Sequence, residues 1–182
     1  MVRPRAPAGF RYNPRMRRRI RSSPEAGEPV DAHALAVRLL TRRDLSEAQL
    51  RARLLERVGP AEAEAALARL RARGAVDDRR VAFAFARTAA GVKRRGPLRV
   101  RRELVAMGIE GALADEAVSA AFADTDDRAL LDQAIERRLR GRPLDDPRAV
   151  ARLAGALLRQ GYARDAVAAA LRRRRLALPD DR

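Results

Sequence analysis

Three pairs of apolar residues, four apart within each pair, recur along the chain at nearly even intervals: Leu50 and Leu54, Val100 and Leu104, Leu153 and Leu157. Residues four apart share one face of an α-helix, so each pair marks a helix with a buried side. The second pair follows the first by 50 residues and the third follows the second by 53. The surplus falls in the loop of Arg140, Gly141, Arg142 and Pro143. Gly108 and Gly161 are also 53 apart, and each precedes an apolar residue, Ile109 and Tyr162. A unit recurring at fixed period hides its apolar face by stacking on its neighbours. The chain is expected to be all-α, with three tandem three-helix, helix-turn-helix-like repeats in an elongated, curved array.

The punctuation between these pairs divides the chain. Residues 1–30 hold five prolines and scattered arginines without periodicity, and read as a disordered basic arm. The first repeat, 31–76, contains a helix marked by Leu35 and Leu39. A second helix opens on the capping pair Ser46 and Gln49, and a third runs from about Ala61 to Arg73 after Gly59 and Pro60. The second repeat, 77–123, has Val81 and Phe85, then Val100 and Leu104, then Leu113, Ala117 and Phe122. The third, 124–176, has Leu131 and Ile135, then a helix capped by Asp145 and Asp146, then Val167 and Leu171. Residues 177–182 form a tail.

The stretch from Gly74 to Gly108 carries the most detail. Gly74 suits the left-handed position after a helix. Asp77 and Asp78 offer a cap and a negative charge where the helix end is positive. Gly91 reads as the stop of that helix, and Lys93, Arg94 and Arg95 as a basic joint. Pro97 after Gly96 sits at the one helical position that needs no N–H. Val100, Leu104 and Met107 then line one face, Arg99 and Arg102 the opposite one, and Gly108 ends the helix.

The order of these elements resembles the RecX family, the modulators of the bacterial recombinase RecA. The pattern is a glycine, two apolar residues and Asp77-Asp78, then an apolar helix and Gly96-Pro97. An arginine-rich segment over 99–102, Glu103-Leu104 and Gly108-Ile109 complete it. The resemblance runs from about Ala34 to Leu171. It implies three three-helix repeats in a curved, modular shape, and a protein lying in the helical groove of the RecA–single-stranded DNA filament. There it would inhibit filament extension, ATP hydrolysis and strand exchange, modulating recombination and the SOS response.

Composition limits the chemistry. Hydrophobic residues make up 47% of the chain but aromatics only 3%, so the core is built from Leu, Ala and Val. There are no cysteines, which excludes disulfides and thiolate metal sites. No apolar run approaches the roughly 20 residues of a membrane span. The N-terminus lacks the apolar core of a secretory signal, so a cytoplasmic protein without membrane contact is expected. His33 is the sole histidine, with no partner at ligand spacing. Asp77 with Asp78 and Asp145 with Asp146 abut helix starts and read as caps, not as metal pairs. The segment from Gly91 to Gly96 ends in Pro97, which removes an N–H that a phosphate cradle would use. No catalytic constellation, metal or cofactor is expected, and the chain does not read as an enzyme.

What remains is charge. The chain carries 40 Lys and Arg against 24 Asp and Glu, a net charge of +16. That excess points to a polyanion or an acidic protein surface. The candidate contact residues are Arg38, Arg42 and Arg43 late in the first helix. To these are added Lys93, Arg94, Arg95, Arg99 and Arg102 at the central joint and fifth helix, and Arg137, Arg138, Arg140 and Arg142 at the end of the seventh. Cations at helix C-termini also complement the dipole, but the dipole does not account for the size of the excess. Recurrence in successive repeats suggests one basic stripe that grips phosphates without reading bases. The expected partners are the RecA filament and single-stranded DNA, with duplex DNA as a further form, bound by a monomer. A general basic DNA-binding or nucleoid-associated protein is the alternative.

Overall fold

The structure, a computed structural model, describes residues 30–123, 126–144 and 146–176. The basic arm, Asp145 and the tail lie outside the described residues. Those described form nine helices and no strand: α1 (Ala32–Leu40), α2 (Glu47–Leu55), α3 (Pro60–Ala72), α4 (Asp78–Gly91), α5 (Pro97–Ala106), α6 (Gly111–Phe122), α7 (Asp127–Leu139), α8 (Pro147–Gln160) and α9 (Arg164–Leu176).

Each start has a physical cause. Asp31, Asp77, Asp126 and Asp146 place a carboxylate oxygen on the first free backbone N–H groups of α1, α4, α7 and α8. Ser46 and Gln49 form a reciprocal capping box on α2: the Gln49 N–H donates to Ser46 Oγ at 3.2 Å and the Ser46 N–H to Gln49 Oε1 at 3.3 Å. Pro60, Pro97 and Pro147 open α3, α5 and α8. Gly108 and Gly161 end α5 and α8 in the left-handed conformation, at φ 83° and 98°. Helix α4 ends on Gly91 as expected, and the chain then turns through Arg94, a non-glycine residue with φ 51°. Helix α1 ends earlier than expected, leaving Arg42 and Arg43 in the turn beyond it.

The core is threefold. Helices α1–α3 enclose Ala36, Leu50, Leu54, Leu67 and Leu70. Helices α4–α6 enclose Ala82, Ala86, Val100, Leu104, Ile109 and Ala114. Helices α7–α9 enclose Leu131, Ile135, Leu153, Leu157, Tyr162 and Val167. The recurring i, i+4 pairs sit at the centre of their respective clusters, with Leu50, Leu54, Val100, Leu104 and Leu157 fully buried. In the second repeat, alanines of α4 supply much of the packing, letting helices approach where aromatics are scarce. The three clusters are separate, so the repeats are held together by something other than a shared apolar core.

Candidate functional site

The connection is made end to end between the middle helices. Where α8 meets α5, the Gly96 N–H donates to the Gln160 carbonyl at 2.8 Å and the Leu98 N–H to the Gly161 carbonyl at 3.2 Å. Unfilled donors at the start of one helix thus meet unfilled acceptors at the end of another, with the two dipoles head to tail. Where α5 meets α2, the Ser46 hydroxyl donates to the Met107 carbonyl. The Glu47 N–H donates to Asp78 Oδ1 at 2.7 Å. Asp77 caps its own helix as expected, whereas Asp78 reaches across to the N-terminus of α2.

The joint between repeats two and three is flanked by a groove of about 610 Å³. Lys93, Arg95 and Arg99 form one wall, from the α4–α5 connection and the first turn of α5. Arg138 of α7 and Ala156, Arg159 and Gln160 of α8 form the other. Glu103 holds two of the arginines: Arg95 pairs with one carboxylate oxygen, and Arg99 Nε lies 2.9 Å from the other. Gln160 donates its side-chain amide to the carbonyl of Arg94, tying down the left-handed turn that aims the basic joint.

Of the twelve predicted cations, only Arg95 and Arg99 pair with described residues; the other ten make no ion pair among them. Elsewhere arginines are neutralised, as in Arg51 with Glu64 at 2.6 Å, Arg101 with Asp115 and Arg79 with Glu116 at 2.5 Å. In these exposed pairs the guanidinium hydrogen bond pulls each carboxyl below its usual range. The predicted set thus consists mostly of cations unpaired among the described residues, but arginines equally unpaired there, such as Arg53, Arg69, Arg87 and Arg159, also lie outside it.

The clefts of the structure gather some of these cations and not others. Lys93, Arg95, Arg99 and Arg138 share the groove. Arg94 and Arg137 face a neighbouring cleft that also holds Asp132 and Glu136. Arg102 is exposed and folds back on its own helix, Nε donating to the Leu98 carbonyl at 3.3 Å. Arg140 takes a left-handed conformation at the end of α7, and Arg142 follows in the exposed loop. Arg38, Arg42 and Arg43 belong to the first repeat and line none of these clefts. Arg99 departs from expectation: it does not lie on a free outward face, because its backbone packs on Gly161 and its guanidinium reaches the Arg159 carbonyl at 3.5 Å. The groove also contains Arg159, which periodicity did not single out. Its signal was present: Gln160-Gly161 stands one period after Met107-Gly108, so the residue just before it borders a joint.

No group of three or more His, Asp or Glu residues among those described stands close enough to hold a metal ion. No helix among them is long and apolar enough to cross a membrane.

Fold and groove together define a helical-repeat protein that presents clustered cations at a joint between repeats. Comparison with known proteins gives the class a family. Residues 32–70 match the first three-helix domain of RecX and residues 77–118 the second. Over 60 residues the chain is 57% identical to the regulatory protein RecX of each of two Thermus thermophilus strains. That stretch is 33% of this chain and 42% of the relatives, so the match spans under half of their length. A crystal structure of RecX from Lactobacillus salivarius superposes with a TM-score of 0.64 at 16% identity, covering 80% of this chain and 95% of the other. A second crystal structure of a regulatory protein RecX gives 0.59 at 20% identity, over 74% and 67% of the two chains. At these identities the two superpositions speak for the fold. Two of its three repeats thus match RecX three-helix domains, and its fold is that of the RecX crystal structures.

Proposed function

We propose that this chain is a non-enzymatic regulator of RecA. It binds the RecA–single-stranded DNA filament in the filament's helical groove and inhibits filament extension, ATP hydrolysis and strand exchange. The observation that carries the reading is the match of its first two repeats to the two RecX three-helix domains. The unpaired cations support it, since a filament exposes a nucleic-acid backbone whose phosphates would supply the missing counter-charges. Serial repeats joined end to end suit a partner that is itself a series of identical subunits.

The groove by itself is compatible with a general DNA-binding or nucleoid-associated protein, and one experiment separates the two. RecA from the same organism hydrolyses ATP on single-stranded DNA while this protein is added to growing filaments. Strong inhibition well below one copy per RecA is expected. An effect that begins only when the protein coats the DNA would overturn the filament reading in favour of simple competition for phosphates.

A further inference from the structure

The groove at the joint between repeats two and three is built as a spring as well as a site. Its walls belong to different repeats, and both are cationic: Lys93, Arg95 and Arg99 face Arg138 and Arg159. One carboxylate, Glu103, stands among them, and it engages only Arg95 and Arg99. Lys93, Arg138 and Arg159 have no ion-pair partner among the described residues. Like charges on opposing walls repel across the groove and oppose its closing. Against this the joint is held by hydrogen bonds and by close backbone packing of Gly161 on Gly96 and Arg99, not by shared apolar burial. The apolar clusters of the two repeats are separate. The backbone hydrogen bonds of Gly96 and Leu98, with the side chains of Gln160 and Arg99, bridge the gap.

We propose that a phosphodiester backbone seats in this groove and locks the joint, so that nucleic-acid binding sets the angle between repeats two and three. A polyanion between the walls turns repulsion into attraction from both sides, and binding and closing become one event. The lining selects the ligand class. Ala156 is the sole apolar residue among Lys93, Arg95, Arg99, Arg138, Arg159 and Gln160. A protein partner buries a core of apolar and aromatic side chains, which this groove does not offer. With no aromatic ring in its lining, it has no platform on which a base could stack. Arginine forks match phosphate oxygens, and the contact is blind to base sequence. The inference deepens the filament reading, on whose nucleic-acid component it rests. Its test contains no RecA, so the two fail separately.

The chain has no cysteines, so two introduced ones are unique labelling points. Ser119 of α6 and Ala151 of α8 are exposed, lie in different repeats and are outside the groove. Spin labels on the double variant Ser119→Cys with Ala151→Cys report the inter-repeat distance by pulsed electron resonance. The probes are a thymidylate oligonucleotide, a mixed-sequence duplex and polyglutamate. The expected result is a broad distribution for the free protein that narrows with either nucleic acid and is unmoved by polyglutamate. Added salt alone should narrow it in part. Arg138→Gln with Arg159→Gln should narrow the free distribution in part, as salt does, abolish the further narrowing by nucleic acid, weaken thymidylate binding by roughly tenfold and lower its salt slope by about 1.4. Melting should be unchanged, since both residues are exposed. Arg38→Gln with Arg42→Gln should leave the narrowing intact, because neither lines the groove. A width unchanged by nucleic acid, or full narrowing in the Arg138/Arg159 variant, would overturn the proposal. Equal narrowing by polyglutamate would overturn the assignment of the ligand as phosphodiester, and a width unmoved by salt would overturn the spring.

Discussion

Gly96 and Gly161 meet backbone to backbone. A Cβ on Gly96 would stand 2.5 Å from the Gly161 carbonyl carbon and 2.8 Å from the Tyr162 nitrogen, and a Cβ on Gly161 would stand 2.5 Å from the Arg99 nitrogen. Neither position has room for a side chain. The contact brings the end of α8 onto the start of α5 closely enough for their backbones to hydrogen-bond, and it places the two basic walls opposite each other.

Three glycines separate conformation from space. Gly74 has φ 64° but nothing within 4 Å of where a methyl would stand, Gly96 has an ordinary φ of −72° but no room, and Gly161 combines φ 98° with no room. Gly74→Ala should cost about 1–2 kcal/mol, the left-handed penalty alone. Gly96→Ala should cost about 1–3 kcal/mol from overpacking. Gly161→Ala should exceed both, at about 3 kcal/mol or more by addition of the two effects. Urea unfolding of the three variants checks the order, and an equal loss in all three would mean that the joint yields without cost.

Ser46 is fully buried and serves two helices, capping α2 and donating to the carbonyl at the end of α5. Ser46→Ala should cost about 2 kcal/mol, above an ordinary cap, because the Met107 carbonyl loses its partner across the repeats as well. Gln49→Ala removes only the return half of the capping box and should cost less than about 1 kcal/mol. Thermal melts of the pair decide whether the hydroxyl acts across the repeats.

Arg99 and Arg102 should part company on charge reversal. Arg102→Glu, on an exposed side chain bonded to its own helix, should melt within about 0.5 kcal/mol of the parent. Arg99→Glu would set a carboxylate beside Glu103 and remove the contact to Arg159, and should destabilise the joint measurably. Hydrogen exchange should report the loss at Gly96 and Leu98. Equal behaviour of the two variants would place Arg99 on a free face after all.

Acid should act through three exposed carboxylates. Glu64, Asp115 and Glu116 are held below their usual range by hydrogen bonds from Arg51, Arg101 and Arg79. A carboxyl depressed in the folded state contributes its stability above the unfolded value of about 4 and loses it as pH falls through the folded value. Tm should therefore be flat down to about pH 4.5 and fall below about pH 4. The fall should be shallower at high salt, because these pairs are open to solvent. A triple Gln variant at these positions should lose part of the same acid limb.

Much of this architecture is legible in the sequence. The i, i+4 apolar pairs fall at the three core centres because a helix puts residues four apart on one face, and Ser46, Asp77, Gly96 with Pro97, and Gly108 punctuate the helices as their chemistry dictates. Gly91 closes α4 as read, but the left-handed turn at Arg94, whose carbonyl accepts from Gln160, is a tertiary feature that local pattern does not announce. Arg99 misled for a related reason: a helical wheel marks which face is opposite the helix's own core, but not which face a neighbouring repeat covers. The groove itself was half visible. Lys93 and Arg95 stood out as a run, while Arg159 joined them only through the end-to-end docking, a long-range relationship that local periodicity does not encode.

The docking rule has a consequence for assembly. A head-to-tail contact between like units is open-ended, and units that present both ends polymerise. Here the ends differ from the joints. Where α5 and α8 finish on Gly108 and Gly161, four residues past a core leucine, α2 has Val58, whose side chain packs into its own core. Where Glu47 and Pro97 open their helices three residues before the first core position of the pair, Pro147 opens α8 six before Leu153, capped by the carboxylate of Asp146. One end lacks the glycine and the other carries an extra turn, so neither repeats the geometry of the internal joints. Separate molecules are therefore expected not to continue the array into a fibre, which light scattering at rising concentration checks.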